Sequence, residues 1–187
     1  MELQGERLIP VSVEKTWSAL NDPDVLKACI AGCESLERTG ESTLMAVVAL
    51  KVGPVSARFK GNLALTNIQP PNSYTINFDG QGGVAGFGKG SADVALTAEG
   101  AQTRLKYTAR AQVGGKMAQV GSRLIDAAAG KITEDFFKAF EAHFGAGGVP
   151  AGAEPSAVVA DAEGGIGKVW WLIGAVVLLA ILYFVIR

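Results

Sequence analysis

The residues that come closest to a chemical site form a glycine-rich segment, DGQGGVAGFGKGSADV, at positions 79–94. Residues 83–89 fit the phosphate-binding pattern G-x-x-x-x-G-K, and residues 80–85 fit a dinucleotide-binding fingerprint. Both patterns need a helix directly afterwards, but the residues that follow alternate as a strand. Gly90 also stands where Ser or Thr would hold magnesium. The segment therefore predicts no nucleotide site.

We interpret the same segment as a hairpin that joins two strands at the mouth of the sheet. Gly83, Gly86, Gly88 and Gly90 surround Phe87 in it. Glycine reaches backbone conformations that other residues avoid, so a hairpin this rich in glycine can move. We expect these four glycines to form a gating loop over a pocket, with Phe87 as its apolar tip.

Side chains suited to catalysis or metal binding are scarce. His143 is the single histidine, and no Ser or Cys can be assigned to it as a nucleophile. The carboxylates at 134–135 and at 22 and 24 are interpreted as helix-surface and capping groups. Cys29 and Cys33 alone make no zinc site and are interpreted as half-buried free thiols. We expect no enzyme, no catalytic residue and no metal.

The charge pattern excludes nucleic acid as a partner. The formal net charge is −1, and the basic residues are scattered along the chain. Binding to nucleic acid needs a concentrated basic face, and the sequence predicts none.

The elements that would position a site occupy residues 1–144. A first strand reaches Pro10, and two short helices follow, capped by Ser12 and Asp22. Alternating apolar residues then predict an antiparallel meander whose strands lie at 43–52, 55–66, 73–79, 91–100 and 103–113. Residues 116–144 carry an apolar stripe at helical spacing, which predicts one long helix of about 43 Å.

These elements predict an α+β fold in which a curved antiparallel sheet wraps around the long C-terminal helix. Many positions on the facing surfaces are Ala or Gly, so the sheet and the helix can leave a cavity between them. The alternative is a solid core with the helix closer to the sheet. The residues expected to form the ligand cavity are Trp17, Phe59, Phe78, Phe87, Tyr107, Ala109, Ala111 and Leu124.

The last 43 residues differ from this domain in composition. Residues 145–168 are rich in Gly, Ala and Pro, which is typical of a flexible linker. Residues 169–186 are uncharged and overwhelmingly apolar, with Trp170 and Trp171 at one end and Tyr183 near the other. Their helical length of about 27 Å matches a bilayer core, so we predict one C-terminal transmembrane helix.

Three stretches carry a resemblance to a known family: IPVSVEKTWSALNDPDVLKACIAGCESLE, VGPVSARFKGNLAL and GGVAGFGKGSADVAL. Together with the order of elements, they resemble the family of the G subunit of carbon monoxide dehydrogenase, within the helix-grip superfamily of START and Bet v 1 proteins. The resemblance covers residues 1–144 and the anchored tail.

The resemblance implies an accessory protein that recruits a molybdenum-hydroxylase-type dehydrogenase to the cytoplasmic membrane, with its domain facing the cytoplasm. It also implies that the cavity binds or carries a lipophilic ligand, respiratory quinone, with no other cofactor. The alternative is a scaffold without a ligand, which only tethers the dehydrogenase to the membrane.

Overall fold

The computed structural model describes residues 1–145, and these form one curved antiparallel sheet with helices on its concave face. The elements, in chain order, are β1 (Glu2–Ile9), α1 (Val13–Leu20), α2 (Pro23–Cys29), β2 (Cys33–Arg38), β3 (Thr43–Val52), β4 (Val55–Gln69), β5 (Ser73–Gln81), a 3₁₀ turn (Gly83–Ala85), β6 (Phe87–Glu99), β7 (Gln102–Gly114), α3 (Lys116–Gln119) and α4 (Ser122–Gly145). The α+β class and the helix-grip arrangement are confirmed. The predicted transmembrane helix at 169–186, and the predicted linker beyond Gly145, lie outside the described residues.

The sheet has seven strands in the order β1-β7-β6-β5-β4-β3-β2, so each strand from β2 to β7 pairs with its neighbours in the chain. β1 closes the series by pairing with β7, with Leu3 opposite Ala109 and Ile9 opposite Thr103. Within residues 1–145, no helix is long and apolar enough to cross a membrane.

Local sequence explains how the first two helices begin. The Ser12 hydroxyl accepts the Lys15 amide at the start of α1, at 3.5 Å. One carboxylate oxygen of Asp22 accepts the amides of Asp24 and Val25, and Pro23 occupies the first turn of α2. Each cap satisfies amides that the helix itself leaves without partners.

Two features differ from the sequence-based expectation. The sequence pattern does not predict β2 as a strand of its own, because only Leu36 of its six residues is buried and no clear alternation results. The long C-terminal helix is interrupted at Gly121, which has φ +94° and separates α3 from α4. A left-handed residue cannot continue a right-handed helix, so the chain turns there.

The end of the sheet next to α1 is tightly filled, and we call it the packed half. Ile9, Leu105 and Phe140 are almost completely buried there, around the C-terminal part of α4. The hydroxyl of Thr16 donates to Thr103 at 3.1 Å, and Thr103 donates to the carbonyl of Val11 at 2.7 Å. This buried relay fixes α1 against β7 and gives both hydroxyls a partner.

An ion pair also joins the first strand to α4. Arg7 bonds to the carboxylate of Glu134, and its guanidinium lies 5.5 Å from the centroid of the Phe137 ring. The charged end of Arg7 is therefore held over an aromatic face at the margin of the packed half.

Candidate functional site

A cavity of about 620 Å³ lies between the sheet and the N-terminal part of α4. β3 to β7 supply one wall, and Ile125, Ala128, Ala129 and Ile132 of α4 supply the facing one. α2 and β2 close a third side with residues that include Leu26, Ile30 and Leu36. Nearly all of these side chains are apolar, so the cavity suits a lipophilic small molecule.

Three glycines form a row across the floor of this cavity. Gly61, Gly80 and Gly88 are register partners on β4, β5 and β6, so no side chain rises from the inner face along this line. Phe59 precedes the row on β4, and Phe78 lies on its other side on β5. The result is a flat-bottomed strip bordered by two aromatic rings.

The tyrosines are the polar aromatic side chains of the lining. Tyr74 is 4% exposed, and burial raises the pKa of its phenol above the ordinary value near 10.0, at which a phenol is already protonated at neutral pH. The ring of Tyr107 lies 5.3 Å from that of Phe137. A Cβ added at Gly5 would meet the Tyr107 hydroxyl at 2.6 Å, so Gly5 makes room for this ring.

The structure brings together three of the residues predicted to form the cavity: Phe59, Phe78 and Tyr107 all line it. Trp17 does not reach it. Its ring contacts Tyr74 edge-on, with the centroids 5.3 Å apart, and it packs against the core of the packed half. Trp17 thus lies one layer behind the lining.

Phe87 and Leu124 lie outside the cavity. The ring of Phe87 packs over Gly114 and is 39% exposed, because alternation along β6 places the glycine at 88, and not Phe87, on the inner face. Leu124 is 49% exposed and lies near Gly53. Two residues four apart in an α-helix differ by about 40° in their direction around the helix axis. Leu124 is three such steps before Phe136, so its side chain points about 120° away from the direction of Phe136 and off the inner face. Ile125 lines the cavity instead.

Ala109 and Ala111 also do not line it. Ala109 is the register partner of Leu3, and the carbonyl of Ala111 accepts the N-terminal amine of Met1 at 2.9 Å. Met1 reaches the cavity from this side, and neither methyl group does.

The glycine-rich hairpin has two kinds of glycine. Gly83 and Gly86 have φ of +59° and +113°, and a Cβ at Gly86 would collide with the carbonyl oxygen of Gly114. Gly88 and Gly90 are ordinary strand positions in β6. An added Cβ would meet nothing within 4 Å at Gly88, but would collide with the carbonyl oxygen of Arg110 at Gly90. β6 begins at Phe87, so the residues that follow the turn form a strand, as predicted, and not the helix that both phosphate-binding patterns require.

Comparison with known proteins identifies the family of this chain. A family model described as the G subunit of carbon monoxide dehydrogenase (CoxG) matches residues 5–145. The chain belongs to this family. No curated protein matches the chain.

Several solved structures are similar to this chain. A conserved protein from Geobacillus kaustophilus is 33% identical, with a TM-score of 0.73 over 78% of this chain and 96% of that chain. A START superfamily protein from Mycobacterium smegmatis is 17% identical, with a TM-score of 0.59 over 76% and 95%. The Zhui aromatase/cyclase from Streptomyces sp. R1128 is 11% identical, with a TM-score of 0.54 over 76% and 92%. The last two likenesses show the fold alone.

Sequence reasoning missed the part of the cavity that β3 lines beside α2 and β2. The signal was present in the sequence of β3, because the residues from 43 to 52 are apolar on both faces. Leu44, Ala46 and Val48 all line the cavity. The predicted lining comes from other elements instead.

His143, Cys29 and Cys33 are not among the residues that line the cavity. The ring of His143 lies against Phe144, with the centroids 5.3 Å apart. No group of three His, Cys, Asp or Glu residues in this range is arranged to hold a metal ion. Burial raises the pKa of both free thiols, Cys29 and Cys33, which makes the thiolate less accessible than in an exposed cysteine.

Proposed function

We propose that this CoxG family member is an accessory protein that binds a lipophilic ligand, respiratory quinone, in the cavity between the sheet and α4. In this proposal it is anchored in the cytoplasmic membrane and serves a molybdenum-hydroxylase-type dehydrogenase. The observation that carries the proposal is the apolar cavity of about 620 Å³.

The size and lining of the cavity support a ligand over a packing defect. Sites for small molecules commonly measure about 300–1,000 Å³, whereas a single water occupies about 30 Å³ of liquid. An apolar cavity of this size sacrifices many dispersion contacts, and a bound apolar molecule restores them. A quinone offers both a flat head and an aliphatic tail.

The glycine floor supports a planar head group. A flat ring can lie directly on the backbone along Gly61, Gly80 and Gly88, because no side chain rises there. Phe59 and Phe78 border that strip and can contact the edges of the ring. The phenol of Tyr74, which lines the cavity and is protonated at neutral pH, can donate a hydrogen bond to a quinone carbonyl.

The sequence supports a membrane location. Residues 169–186 have the length and composition of a membrane-spanning helix, with Lys168 and Arg187 at its two ends. Quinone resides in the bilayer and is nearly insoluble in water. A domain tethered to the bilayer can therefore collect the ligand and present it to an enzyme in the cytoplasm.

The decisive experiment is extraction of the full chain. The protein is purified from membranes in mild detergent, and bound molecules are extracted into organic solvent and identified by mass spectrometry. We expect a quinone in near-stoichiometric amount. The matched control is the variant Ala92→Phe, which fills the cavity and should carry much less. Equal amounts of quinone with both chains would mean that the detergent micelle carries it. Absence of quinone from both would leave the ligand-free scaffold.

A further inference from the structure

We propose that the domain has its own membrane-docking surface, which binds an anionic lipid bilayer at the end of the sheet formed by the β3–β4 and β5–β6 turns. This hairpin end comprises residues 1–2, 33–34, 51–60, 79–90 and 110–126. The inference rests on the proposed function, because it gives the route by which a membrane ligand would reach the cavity.

The exposed apolar side chains are concentrated at this end. Of the six large hydrophobic residues that are exposed within residues 1–145, four lie here: Met1, Val84, Phe87 and Leu124. Val84 is 85% exposed, at the tip of the 3₁₀ turn between Gly83 and Ala85. No core of this domain explains an apolar side chain held so far into solvent, whereas the interface of a bilayer accommodates one.

Charge is polarised along the domain in the same direction. The hairpin end carries seven Lys or Arg against four Asp or Glu, and the rest of residues 1–145 carries eight against eleven. At the hairpin end, Arg58 pairs with Glu34 and Arg110 with Glu2. The other basic side chains of the hairpin end, which form no ion pair in the described part of the chain, are Lys51, Lys60, Lys89, Lys116 and Arg123.

This composition favours an anionic bilayer over an acidic protein. Four of the five unpaired basic side chains are lysines, which protein–protein interfaces tend to exclude in favour of arginine and aromatic residues. Long lysine side chains around a protruding apolar tip are typical of surfaces that lie on anionic membranes. Each basic group near such a surface increases binding by roughly fivefold.

The cavity reaches this surface. Val52, Phe59, Gly88, Val113 and Met117 line the cavity, and all belong to the hairpin end. The 3₁₀ turn that carries Val84 lies next to Gly115, where the chain enters α3. A bilayer bound here would therefore lie against the thin, glycine-rich end of the cavity wall.

The length of the chain permits this orientation. α4 starts at the hairpin end and ends at Gly145 beside the packed half, about 36 Å away along the helix. Residues 146–168 precede the apolar segment and span at most about 80 Å when fully extended. The chain can therefore pass around the domain and enter the bilayer that the hairpin end touches.

The test uses the full chain in proteoliposomes. A fluorophore is attached at Val84→Cys, or at Ala101→Cys in the exposed β6–β7 turn at the opposite end, in a chain that also carries Cys29→Ala and Cys33→Ser. Quenching by lipids with spin-labelled acyl chains reports contact with the bilayer. In vesicles of phosphatidylcholine and phosphatidylglycerol, we expect strong quenching at 84 and little at 101. In phosphatidylcholine alone, quenching at 84 should fall.

Charge reversal makes the test specific. Lys89→Glu with Lys116→Glu should lower the ratio of docked to free domain by at least about 25-fold, whereas Lys15→Glu with Lys138→Glu should leave it unchanged. The proposed docking surface would be wrong if the labels at 84 and 101 were quenched equally. It would also be wrong if quenching at 84 were the same with and without phosphatidylglycerol in the vesicles. A label at 84 that stays in water until an acidic partner protein is added would also overturn it and make this surface a protein interface.

The same preparations separate this inference from the proposed function. Solvent extraction of the proteoliposome protein measures bound quinone independently of docking. If the domain docks but carries no quinone, the proposed quinone ligand is wrong and the docking surface stands. If it carries quinone but does not dock, the docking surface is wrong and the quinone ligand stands.

Discussion

The packed half of the domain and the hollow half, which contains the cavity, share one sheet and one helix, yet one is solid and the other is empty. The C-terminal part of α4 carries Phe136, Phe137, Phe140 and Phe144, whose rings contact one another in series at 5.1–5.7 Å. Phe136 and Phe137 also line the cavity where the two halves meet. The N-terminal part of α4, which faces the cavity, carries Ala128, Ala129 and Gly130. The fold therefore permits a cavity, and the size of the side chains decides where it lies.

The comparison assigns stability and binding to different halves. The packed half supplies the residues that are almost completely buried, and the hollow half supplies an apolar surface without a protein partner in the described part of the chain. If this division is correct, substitutions in the packed half should lower the free energy of unfolding and leave ligand affinity unchanged. Substitutions in the hollow half should lower ligand affinity and leave the free energy of unfolding similar.

Removal of a ring from the packed half should be the most damaging change. Phe140 is 0% exposed and contacts both Phe136 and Phe144. Phe140→Ala should lower the free energy of unfolding by about 3–5 kcal/mol, because it removes apolar contacts and leaves a hole. Denaturant melts of the full chain in detergent measure this. The folded fraction should keep its affinity for a short-tail quinone analogue. Phe87→Ala, at an exposed ring, is the control and should cost much less.

Filling the hollow half should do the opposite. Ala92 lies on the cavity floor, whereas Ala95, three residues further along β6, points to the outer face. Ala92→Phe should leave stability similar or raise it, and should weaken binding of the quinone analogue by at least about 100-fold, or about 2.7 kcal/mol. Ala95→Phe should change neither. Destabilisation by Ala92→Phe of about 1–3 kcal/mol, as in a core that is already full, would contradict the division.

Much of this division could be predicted from the sequence. Alternation places Phe59, Phe78 and Tyr107 on one face, and all three line the cavity, because a strand keeps its period of two over its whole length. The small residues of α4 indicate a gap. The family resemblance is confirmed over residues 5–145.

The errors arise where a local pattern has to be extended too far. The helical stripe drifts by about 120° between Phe136 and Leu124, which removes Leu124 from the inner face. Trp17 is aromatic and lies on an early helix, which suggests a lining residue, but only the depth of packing shows that Tyr74 stands between it and the cavity. That depth depends on contacts far apart in the chain, which a local pattern does not contain.

The glycine hairpin lies at the border of the hollow half. Gly86→Ala should cost about 1–3 kcal/mol of stability, because φ is +113° and the new Cβ collides with the carbonyl of Gly114. Gly88→Ala should leave stability within about 0.5 kcal/mol, because the new methyl enters open space. Thermal melts compare the two. Similar losses at both positions would mean that the cavity is closed at Gly88.

A larger substitution at Gly88 tests the gating role predicted for this loop. Gly88→Val places a larger side chain on the floor without strain, so it should weaken quinone binding while the melting temperature changes little. A gate would instead show slower association, measured by stopped-flow fluorescence, with the affinity unchanged.

The mildest change is expected at Tyr74, which stands on the boundary between the two halves. Its ring packs edge-on against Trp17 on the packed side, and the residue also lines the cavity. Tyr74→Phe keeps the ring and removes only the hydroxyl, so stability should change by less than about 0.5 kcal/mol. If the phenol donates to the ligand, affinity for a quinone should fall by about five- to tenfold, because a hydrogen bond contributes about 1 kcal/mol. A saturated hydrocarbon of similar length should bind both chains equally, since it has no carbonyl to accept the bond. An equal loss for quinone and hydrocarbon would show that the hydroxyl shapes the cavity and does not recognise the head group.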